Sequence, residues 1–248
     1  MRLAILSDIH SNLPALEAVV EAIDEEGIEE AWCLGDVVGY GADPDECARL
    51  VESRCSLCLV GNHDLAVIGE LDISSFSPAA AEAARWTQRQ ASAETLRYLR
   101  GLRPANTEHE VALYHASPRD PVWEYVLWPD QAAECIDRQA ARVSFVGHSH
   151  VALFFTLPDG ERPVDAPAQG AQVEGGGVVD LRSDRWLINP GSVGQPRDGD
   201  PRAAWLELDT DAWTATYRRV RYDIDRASAS ILDAGLPEHL AKRLHIGQ

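Results

Sequence analysis

The first sixty residues alternate short apolar strands with polar turns and helices, and this alternation restricts the fold more than any other feature. The predicted strands are residues 2–6, 30–34 and 56–60, and the helices between them are residues 13–26 and 44–53. Strands and helices that alternate at these lengths are typical of a parallel sheet covered by helices. The chain is therefore predicted to belong to the α/β class.

The rest of the chain continues this pattern after one interruption. Residues 65–103 have a helical pattern, and we expect them to form an insertion, which either packs against the domain or covers a site. No linker or internal repeat divides the sequence, so residues 1–248 are expected to form a single domain. Residues 158–178, rich in Gly, Pro and acidic residues, are predicted to be an exposed loop or hairpin end. Further strands are predicted at residues 110–113, 143–146, 151–157, 186–188, 203–208 and 214–220, and helices at 130–141 and from about 224 and 237.

Residue types that bind metals directly follow five of the predicted strands. Only three of the eight histidines lie elsewhere. Ligands of open α/β sheets bind beyond the carboxyl ends of the strands, so we expect these side chains to converge. They are Asp8 and His10, Asp36, Asn62 and His63, His115, and His148 and His150.

The donor types indicate transition-metal ions, and their number indicates two ions. Asp8 and His10 are two residues apart, as are His148 and His150, so in an extended chain each pair projects to one side. Mixed oxygen and imidazole donors suit zinc, manganese or iron rather than calcium. Seven donors exceed the need of one tetrahedral ion and fit two ions that share a carboxylate, about 3.5–4 Å apart. Such ions would supply positive charge that attracts phosphate.

The composition limits the partners and the compartment. A net charge of −18 repels the phosphate backbone, so duplex nucleic acid is not expected as a partner. No apolar run of about 18 residues is present, and we expect neither a membrane span nor a membrane partner. The five cysteines are expected to be reduced thiols in the cytoplasm. Cys55 and Cys58 have C-x-x-C spacing, and we favour core packing over redox or metal chemistry for them. The sequence does not indicate an oligomeric state.

The order of the motifs resembles the calcineurin-like metallophosphoesterase superfamily. Longer phrases, such as Asn-Pro-Gly-Ser-Val-Gly-Gln-Pro-Arg at residues 189–197, are similar to small stand-alone prokaryotic phosphoesterases of that superfamily. The resemblance implies an α/β fold in which two mixed β-sheets form a four-layer αββα sandwich, the calcineurin-like phosphoesterase fold. The motifs that carry it are Asp8-x-His10, Gly35-Asp36, Gly61-Asn62-His63-Asp64, His115 and Gly147-His148-x-His150.

The resemblance also implies a role for each residue of the cluster. The two ions would be transition metals such as manganese, iron or zinc. His63 would lie beside them without binding either ion, as the catalytic acid or as a phosphate donor. One ion would be held by Asp8, His10 and His150 and the other by Asn62, His115 and His148, with Asp36 between them.

One departure from the family pattern bears on the substrate. Phosphoprotein phosphatases of the family have Asp-Arg-Gly at the positions that here are Gly39-Tyr40-Gly41. The Asp that orients the catalytic His and the Arg that binds phosphate are therefore missing there, which disfavours a protein Ser/Thr phosphatase. Arg119 and Arg197 are candidate substitutes in substrate binding, although either could brace a loop instead. Asn12 is a third candidate, with capping of the first helix as its alternative.

Two classes of function fit these residues. The first is a phosphoesterase, in which a metal-bridging hydroxide attacks phosphorus and His63 protonates the leaving oxygen. The expected substrate is a small-molecule phosphodiester; a phosphomonoester and a cyclic nucleotide remain alternatives because they need the same metal chemistry. The second class is a non-catalytic metal-binding scaffold on the same fold. All eight cluster positions are filled, which favours the enzyme.

Overall fold

Two mixed sheets form the centre of the computed structural model, which describes residues 1–162 and 167–248. The first sheet has the strand order β3-β2-β1-β11-β12-β9, and the second has the order β4-β5-β6-β10-β7-β8. In chain order the strands are β1 (Arg2–Leu6), β2 (Glu30–Cys33), β3 (Leu57–Cys58), β4 (Ala105–Asn106), β5 (Ala112–Tyr114), β6 (Val143–Phe145), β7 (Ala152–Leu157), β8 (Gln169–Gln172), β9 (Val178–Asp180), β10 (Arg185–Pro190), β11 (Ala203–Asp209) and β12 (Thr214–Val220).

Helices connect the strands and cover both outer faces of the sheets. A short 3₁₀ turn at Ile73–Ser75 joins two of them. Within residues 1–162 and 167–248, no helix is both long and apolar enough to cross a bilayer. The helices are α1 (Leu13–Glu25), α2 (Pro44–Arg54), α3 (Asn62–Val67), α4 (Pro78–Gln90), α5 (Ala93–Arg100), α6 (Pro129–Arg138), α7 (Ile224–Asp233) and α8 (Glu238–Leu244).

Parallel pairing aligns the strand ends that matter for function. In the first sheet β1, β2 and β3 are parallel, with Leu6 beside Cys33 and Cys33 beside Cys58. In the second sheet β5, β6 and β10 are parallel to one another. Antiparallel strands complete each sheet. The carboxyl ends of the parallel strands therefore lie together at one edge of each sheet.

The apolar residues of β1 explain why the sheets stack with helices outside. Leu3 and Ile5 point between the sheets and pack in the same core as Phe145 of the second sheet. Ala4 and Leu6 point the other way, into the core shared with α1 and α2. Both faces of the strand are buried, as its continuous apolar sequence requires. Burial of one such leucine stabilises the fold by about 1.5–3 kcal/mol.

A third core covers the outer face of the second sheet, where Ile136 of α6 packs with Leu187. Helices, two sheets and helices thus follow in four layers, and the predicted αββα sandwich is confirmed. A fourth cluster joins Ala83 of α4 to Ile231 of α7 and Leu240 of α8, around Tyr40. The helical block predicted at residues 65–103 contains α4, α5 and the end of α3.

Some strands differ from the sequence prediction. Strand β3 has only two residues, since Leu59 forms no more than an isolated bridge to Arg103. Within residues 158–178, β8 pairs with β7 as an exposed hairpin strand, whereas β9 joins the first sheet, which was not predicted. Residues 163–166 of that stretch lie outside the described residues. Cys55 and Cys58 are free thiols that pack against the first core.

Candidate metal centre

The predicted metal-binding side chains meet at the edge where the parallel strands end. Three groups of these side chains hold their donor atoms within 4.8 Å of one another, and all of them are buried. The groups are Asp8 with His10 and His150, Asp36 with His115 and His148, and His10 with Asp36 and His63. Asn62 adjoins the second of these groups, with its Oδ1 3.2 Å from His115 Nε2. The second group with Asn62 contains the ligand set expected for the other ion.

In the first half-site, comprising Asp8, His10 and His150, two imidazoles direct lone pairs at each other. His10 Nδ1 lies 3.2 Å from the carbonyl oxygen of Val38, and His150 Nδ1 lies 2.7 Å from that of Gln195. Because a carbonyl oxygen only accepts, each Nδ1 carries the proton and each Nε2 is an acceptor. The two Nε2 atoms are 3.0 Å apart. Such a pair of neutral acceptors repels unless a cation lies with them.

The second half-site, comprising Asn62, His115 and His148, repeats this arrangement. His115 Nδ1 lies 3.0 Å from the carbonyl oxygen of Leu34, so its Nε2 is also an acceptor. That Nε2 faces two further acceptors, Asn62 Oδ1 and Asp36 Oδ2, the latter at 3.5 Å. In His148 the two ring nitrogens exchange these roles. Its Nε2 lies 3.1 Å from the carbonyl oxygen of Trp123 and carries the proton, so its Nδ1 is the acceptor.

The two carboxylates each present one oxygen to this cluster. Asp36 Oδ1 accepts the backbone N–H of His63, and Asp8 Oδ2 accepts from Ser7 Oγ and the N–H of His148. Their other oxygens, Asp36 Oδ2 and Asp8 Oδ1, are buried with no hydrogen-bond partner among the described residues. A bare buried carboxylate oxygen is costly, and a cation offsets that cost. The donor set therefore fits metal ions.

Electrostatics lead to the same conclusion. Burial raises the pKa of the Asp8 carboxyl to about 7 and raises that of Asp36 well above its usual range, which nearby Asp64 raises further. Burial also lowers the pKa of His10 and His150 well below the ordinary value, so both imidazoles are neutral. Ligation needs neutral imidazoles and ionised carboxylates. Burial in the protein keeps the imidazoles neutral, and positive ions would favour the ionised form of the carboxylates.

The backbone of the cluster is not extended, and the reasoning from extended chain was wrong on this point. Asp8, His10, Asp36, His148 and His150 all have φ between 51° and 63°, the left-handed region. Strand β1 ends two residues before Asp8 and strand β6 ends three residues before His148, and the side chains converge through left-handed turns. Non-glycine residues in this region are strained, and such strain gathers at functional sites.

Hydrogen bonds between the loops hold these turns in place. The N–H of Asp8 donates to the Gly35 carbonyl oxygen at 3.0 Å, and the N–H of His10 donates to that of Asp36 at 2.9 Å. Gly61 is required by space, because a Cβ there would lie 2.0 Å from Asp36 Oδ1. Asp64 accepts the N–H groups of Gly61 and Val38, and it thereby joins the loops after β2 and β3. Asp64 belongs to the motif Gly61-Asn62-His63-Asp64, but its role in joining the two loops could be recognised only from the structure.

His63 begins the first turn of α3 beside Asn62. Its ring centroid lies 4.9 Å from that of His10 and 4.3 Å from that of Tyr40. Its Nδ1 is buried and has no hydrogen-bond partner in the part of the chain that the structure describes. His63 is close enough to donate to a group bound at the cluster, and also close enough to His10 and Asp36 to bind an ion with them.

The three candidates for substrate binding have different surroundings. Asn12 uses both ends of its amide, since Oδ1 accepts the N–H of Ala15 as the cap of α1 and Nδ2 donates to the carbonyl oxygen of Gly194. Arg119 is ion-paired with Glu124 and Glu134. Both make the contacts expected of the structural roles considered as alternatives.

Arg197 differs from both. Its guanidinium carbon lies 5.8 Å from the centroid of the Tyr40 ring, and Nη2 donates to Gln195 Oε1 at 2.9 Å. Its side-chain hydrogen bonds go to Tyr40 and Gln195 rather than to a carboxylate of the described residues, and its Nε is buried without a partner there. Arg197 and His63 both contact the Tyr40 ring, and burial together with the charge of Arg197 lowers the pKa of His63. Arg197 is available to bind an anion.

Aromatic residues that sequence reasoning did not select surround the same cluster. Tyr40 lies against His10 and His63, and Phe76 also contacts His63, at a centroid distance of 4.8 Å. Trp123 and Tyr125 contact His148 on the other side. Phe76, Trp123 and Tyr125 come from irregular segments without hydrophobic periodicity, so no sequence signal placed them here.

A two-sheet αββα sandwich with buried Asp and His groups that could hold metal at its strand ends has the architecture of the metallophosphoesterases. The comparison with known families agrees, because the model of the calcineurin-like phosphoesterase superfamily domain matches residues 1–211. This chain belongs to that superfamily, and the resemblance inferred from the motifs is confirmed.

Similar proteins cover almost the whole chain. A metallophosphoesterase structure from Sphaerobacter thermophilus is 41% identical with a TM-score of 0.88, covering 100% of this chain and 99% of that one. The uncharacterized protein MJ0912 of Methanocaldococcus jannaschii is 38% identical over 252 residues, 99% of this chain and 98% of that protein. The hypothetical protein PH1004 from Pyrococcus horikoshii OT3 shares the fold at 19% identity, with a TM-score of 0.76 and coverage of 100% and 98%.

Proposed function

We propose that this protein is a metal-dependent phosphoesterase that hydrolyses a small-molecule phosphate ester at a site with two metal ions. The observation that carries the proposal is the set of facing acceptors: His10 Nε2 and His150 Nε2 at 3.0 Å, with bare oxygens of Asp8 and Asp36 beside them. Only cations make such a buried arrangement favourable. Membership of the superfamily supports phosphate esters as the substrate class.

The proposed ligands follow the two half-sites. The ions would be manganese, iron or zinc, which accept mixed oxygen and imidazole donors. Bound there, they would lower the pKa of water for attack on phosphorus and stabilise negative charge on the phosphoryl oxygens. The first half-site with Asp36 would hold one ion, and the second half-site with Asp36 would hold the other.

Two residues outside the ligand set have proposed roles on the substrate. His63 would donate a proton to the leaving oxygen, since its Nδ1 has no partner among the described residues and its backbone is fixed on Asp36; burial lowers its pKa in the free protein, and the negative charge of a bound phosphate would raise that pKa again. Arg197 would bind a phosphoryl oxygen, because the stack on Tyr40 and the bond to Gln195 orient its guanidinium without using its charge.

A phosphodiester is the proposed substrate, and a phosphomonoester and a cyclic nucleotide are the alternatives. A diester carries an organic group on each side of phosphorus. The cluster has two unlike walls to receive them, Tyr40 with Arg197 beside the first half-site and Trp123 with Tyr125 beside the second. Turnover of matched mono-, di- and cyclic esters by enzyme loaded with each metal tests this order of preference. A protein that binds two ions yet turns over none of the esters would be the non-catalytic scaffold.

The leaving group tests the role of His63. The substitution His63→Ala is expected to leave both ions bound and to slow an alkyl phosphate ester by about 10²–10⁴, the usual value of general acid catalysis. A nitrophenyl ester should slow less, because nitrophenolate leaves without a proton. Single-turnover rates on both esters make the comparison. Equal losses would indicate that His63 only binds phosphoryl oxygens, and loss of an ion would make His63 a ligand.

We also propose that the chain forms one domain that works in the cytoplasm with small molecules rather than duplex nucleic acid. The strand β1 pairs with β11, so the two ends of the chain share one sheet. Cys33, Cys47 and Cys135 are buried thiols, which suits a reducing compartment. A single cooperative unfolding transition would support one domain, and two separate transitions would contradict it.

A further inference from the structure

An exposed aromatic surface borders the second half-site. It consists of Phe76, Trp123 and Tyr125, which we call the aromatic rim. Tyr125 stacks on His148 with ring centroids 4.0 Å apart and an angle of 26°. Trp123 meets His148 edge-on at 6.2 Å, and Phe76 meets Trp123 edge-on at 5.4 Å. The rim therefore presents both ring faces and ring edges beside a histidine of the cluster.

The rim is open to solvent although it is apolar. Tyr125 is 44% exposed, and Phe76 and Trp123 are half-buried. With one face of Tyr125 against His148, the exposed part of the ring faces outward. An exposed apolar patch beside a buried polar centre is typical of a ligand-binding site.

The loop that carries the rim is held before any ligand binds. Val126 is 3% exposed and anchors the loop in the core under the second sheet. Glu124 accepts hydrogen bonds from Arg119, Ser117 and Gln131. The carbonyl oxygen of Trp123 lies 3.1 Å from His148 Nε2. Tyr125 is therefore held between the buried Val126 and the hydrogen-bonded Glu124. A ligand that stacks on Tyr125 does not have to order the loop, so binding avoids that entropic cost.

We propose that the rim binds a planar aromatic ring in the organic part of the substrate, so that esters bearing a nucleobase or an aryl group are preferred. This inference rests on the proposed function, since the phosphoryl group must bind at the cluster for its substituent to reach the rim. Ring stacking on aromatic side chains is the common way in which proteins hold such groups.

Binding of inert phosphonates to the metal-loaded enzyme tests the inference. Calorimetry compares benzylphosphonate with cyclohexylmethylphosphonate, which have the same anion and nearly the same size but differ in the flat ring. The aromatic ligand is expected to bind about three- to tenfold more tightly, the usual advantage of an aromatic pair. A nucleoside 5′-methylphosphonate and the same compound without its base form a second pair, which separates nucleobases from simple aryl groups.

Variants of the rim assign the preference to Tyr125. The substitution Tyr125→Ala should bring the ratio of the two affinities in the preferred pair to about one, and Tyr125→Phe should keep it. Because both ligands of a pair use the same phosphonate contacts, any effect of the variant on the metal centre cancels in the ratio. Trp128→Ala is the matched control: Trp128 is 72% exposed on the same loop but lines a separate groove with Val151 and Phe155, and its loss should not change the ratio.

Each other outcome overturns the inference. A wild-type ratio near one in both pairs would show that the rim does not recognise rings, and a ratio that survives Tyr125→Ala would place recognition elsewhere. Methylphosphonate separates this failure from that of the proposed function. If it binds the metal-loaded protein and a ring adds nothing, only the inference fails. If it does not bind at all, the proposed phosphoryl site fails too.

Discussion

The two half-sites of the cluster are built from similar ligands but have different surroundings. In the first, the imidazoles of His10 and His150 are fixed by backbone carbonyls of buried loops, and Tyr40, 9% exposed, packs against His10. In the second, His148 is fixed by the carbonyl of Trp123, whose loop carries the exposed ring of Tyr125. The first half-site is thus closed by the core, and the second borders the surface where an organic group can bind.

The two half-sites are therefore expected to have different tasks. A closed half-site holds its ion by preorganised ligands, and the orientation of each imidazole is set by a neighbour that does not touch the ion. A half-site bordered by an exposed loop can respond to the substrate. We therefore expect the ion of the first half-site to exchange more slowly than that of the second.

The largest effect is expected at the residue that both halves share. Asp36 Oδ2 lies 3.6 Å from His10 Nε2 and 3.5 Å from His115 Nε2, so Asp36→Ala should lose both ions and reduce turnover to background. Metal analysis and turnover of a nitrophenyl ester measure the two losses together. Cys58→Ala is the control, because its thiol packs against the first core and the variant should keep its ions and nearly all activity. Inverted results in folded proteins would refute the shared ligand.

The next largest effect is expected from variants that each remove one ligand from one half-site. His148 and His150 are two residues apart on one loop but belong to different half-sites. Each should lose one ion on substitution by Ala, and anomalous diffraction from crystals of each variant should show the remaining ion in the opposite half. Chelator challenge of the single-ion variants then compares the halves. Faster metal loss from His148→Ala, which keeps the closed half-site, would contradict the comparison.

A smaller effect is expected at the phosphate-binding position. Arg197→Ala should lower kcat/KM about ten- to a hundredfold, the usual range for a hydrogen bond to a charged group, and Arg197→Lys should recover part of it. Arg119→Ala offers a matched control on an alkyl phosphate ester, since its guanidinium is already paired with Glu124 and an ester without a ring does not use the loop that this pair braces. We expect less than about a threefold change there. If the two alanine variants behaved alike, Arg197 would have no special role on the substrate.

Most of the longer strands and the residues of the cluster could be predicted from the sequence. Strand β1 at Arg2–Leu6 and strand β12 at Thr214–Val220 have the predicted bounds, because their apolar residues must be buried. Strand β8 is exposed along its whole length and is held by backbone pairing at the sheet edge, which leaves no hydrophobic pattern. The members of the cluster could be predicted because the residue types that bind metals are few and follow strand ends.

The surroundings of the cluster could not be predicted in the same way. The left-handed turns at Asp8 and His148 depend on hydrogen bonds between loops that are distant in sequence. Phe76 and Tyr125 reach the cluster from irregular segments whose position is set by the anchored residue Val126 and by the helices around Tyr40. Tertiary contacts of this kind leave no local signal. The role proposed for Arg197 depends on the absence of a carboxylate partner among the described residues, and a sequence does not show which side chains pair.

The central claim is that this edge of the sandwich holds two metal ions, and elemental analysis tests it most directly. Protein prepared without chelator and dialysed into metal-free buffer should retain about two transition-metal ions per chain, the number that fits seven donor residues including Asp36. Stripping the ions should abolish ester turnover, and manganese, iron or zinc should restore it. A metal content near zero in protein that still hydrolyses phosphate esters would contradict the account.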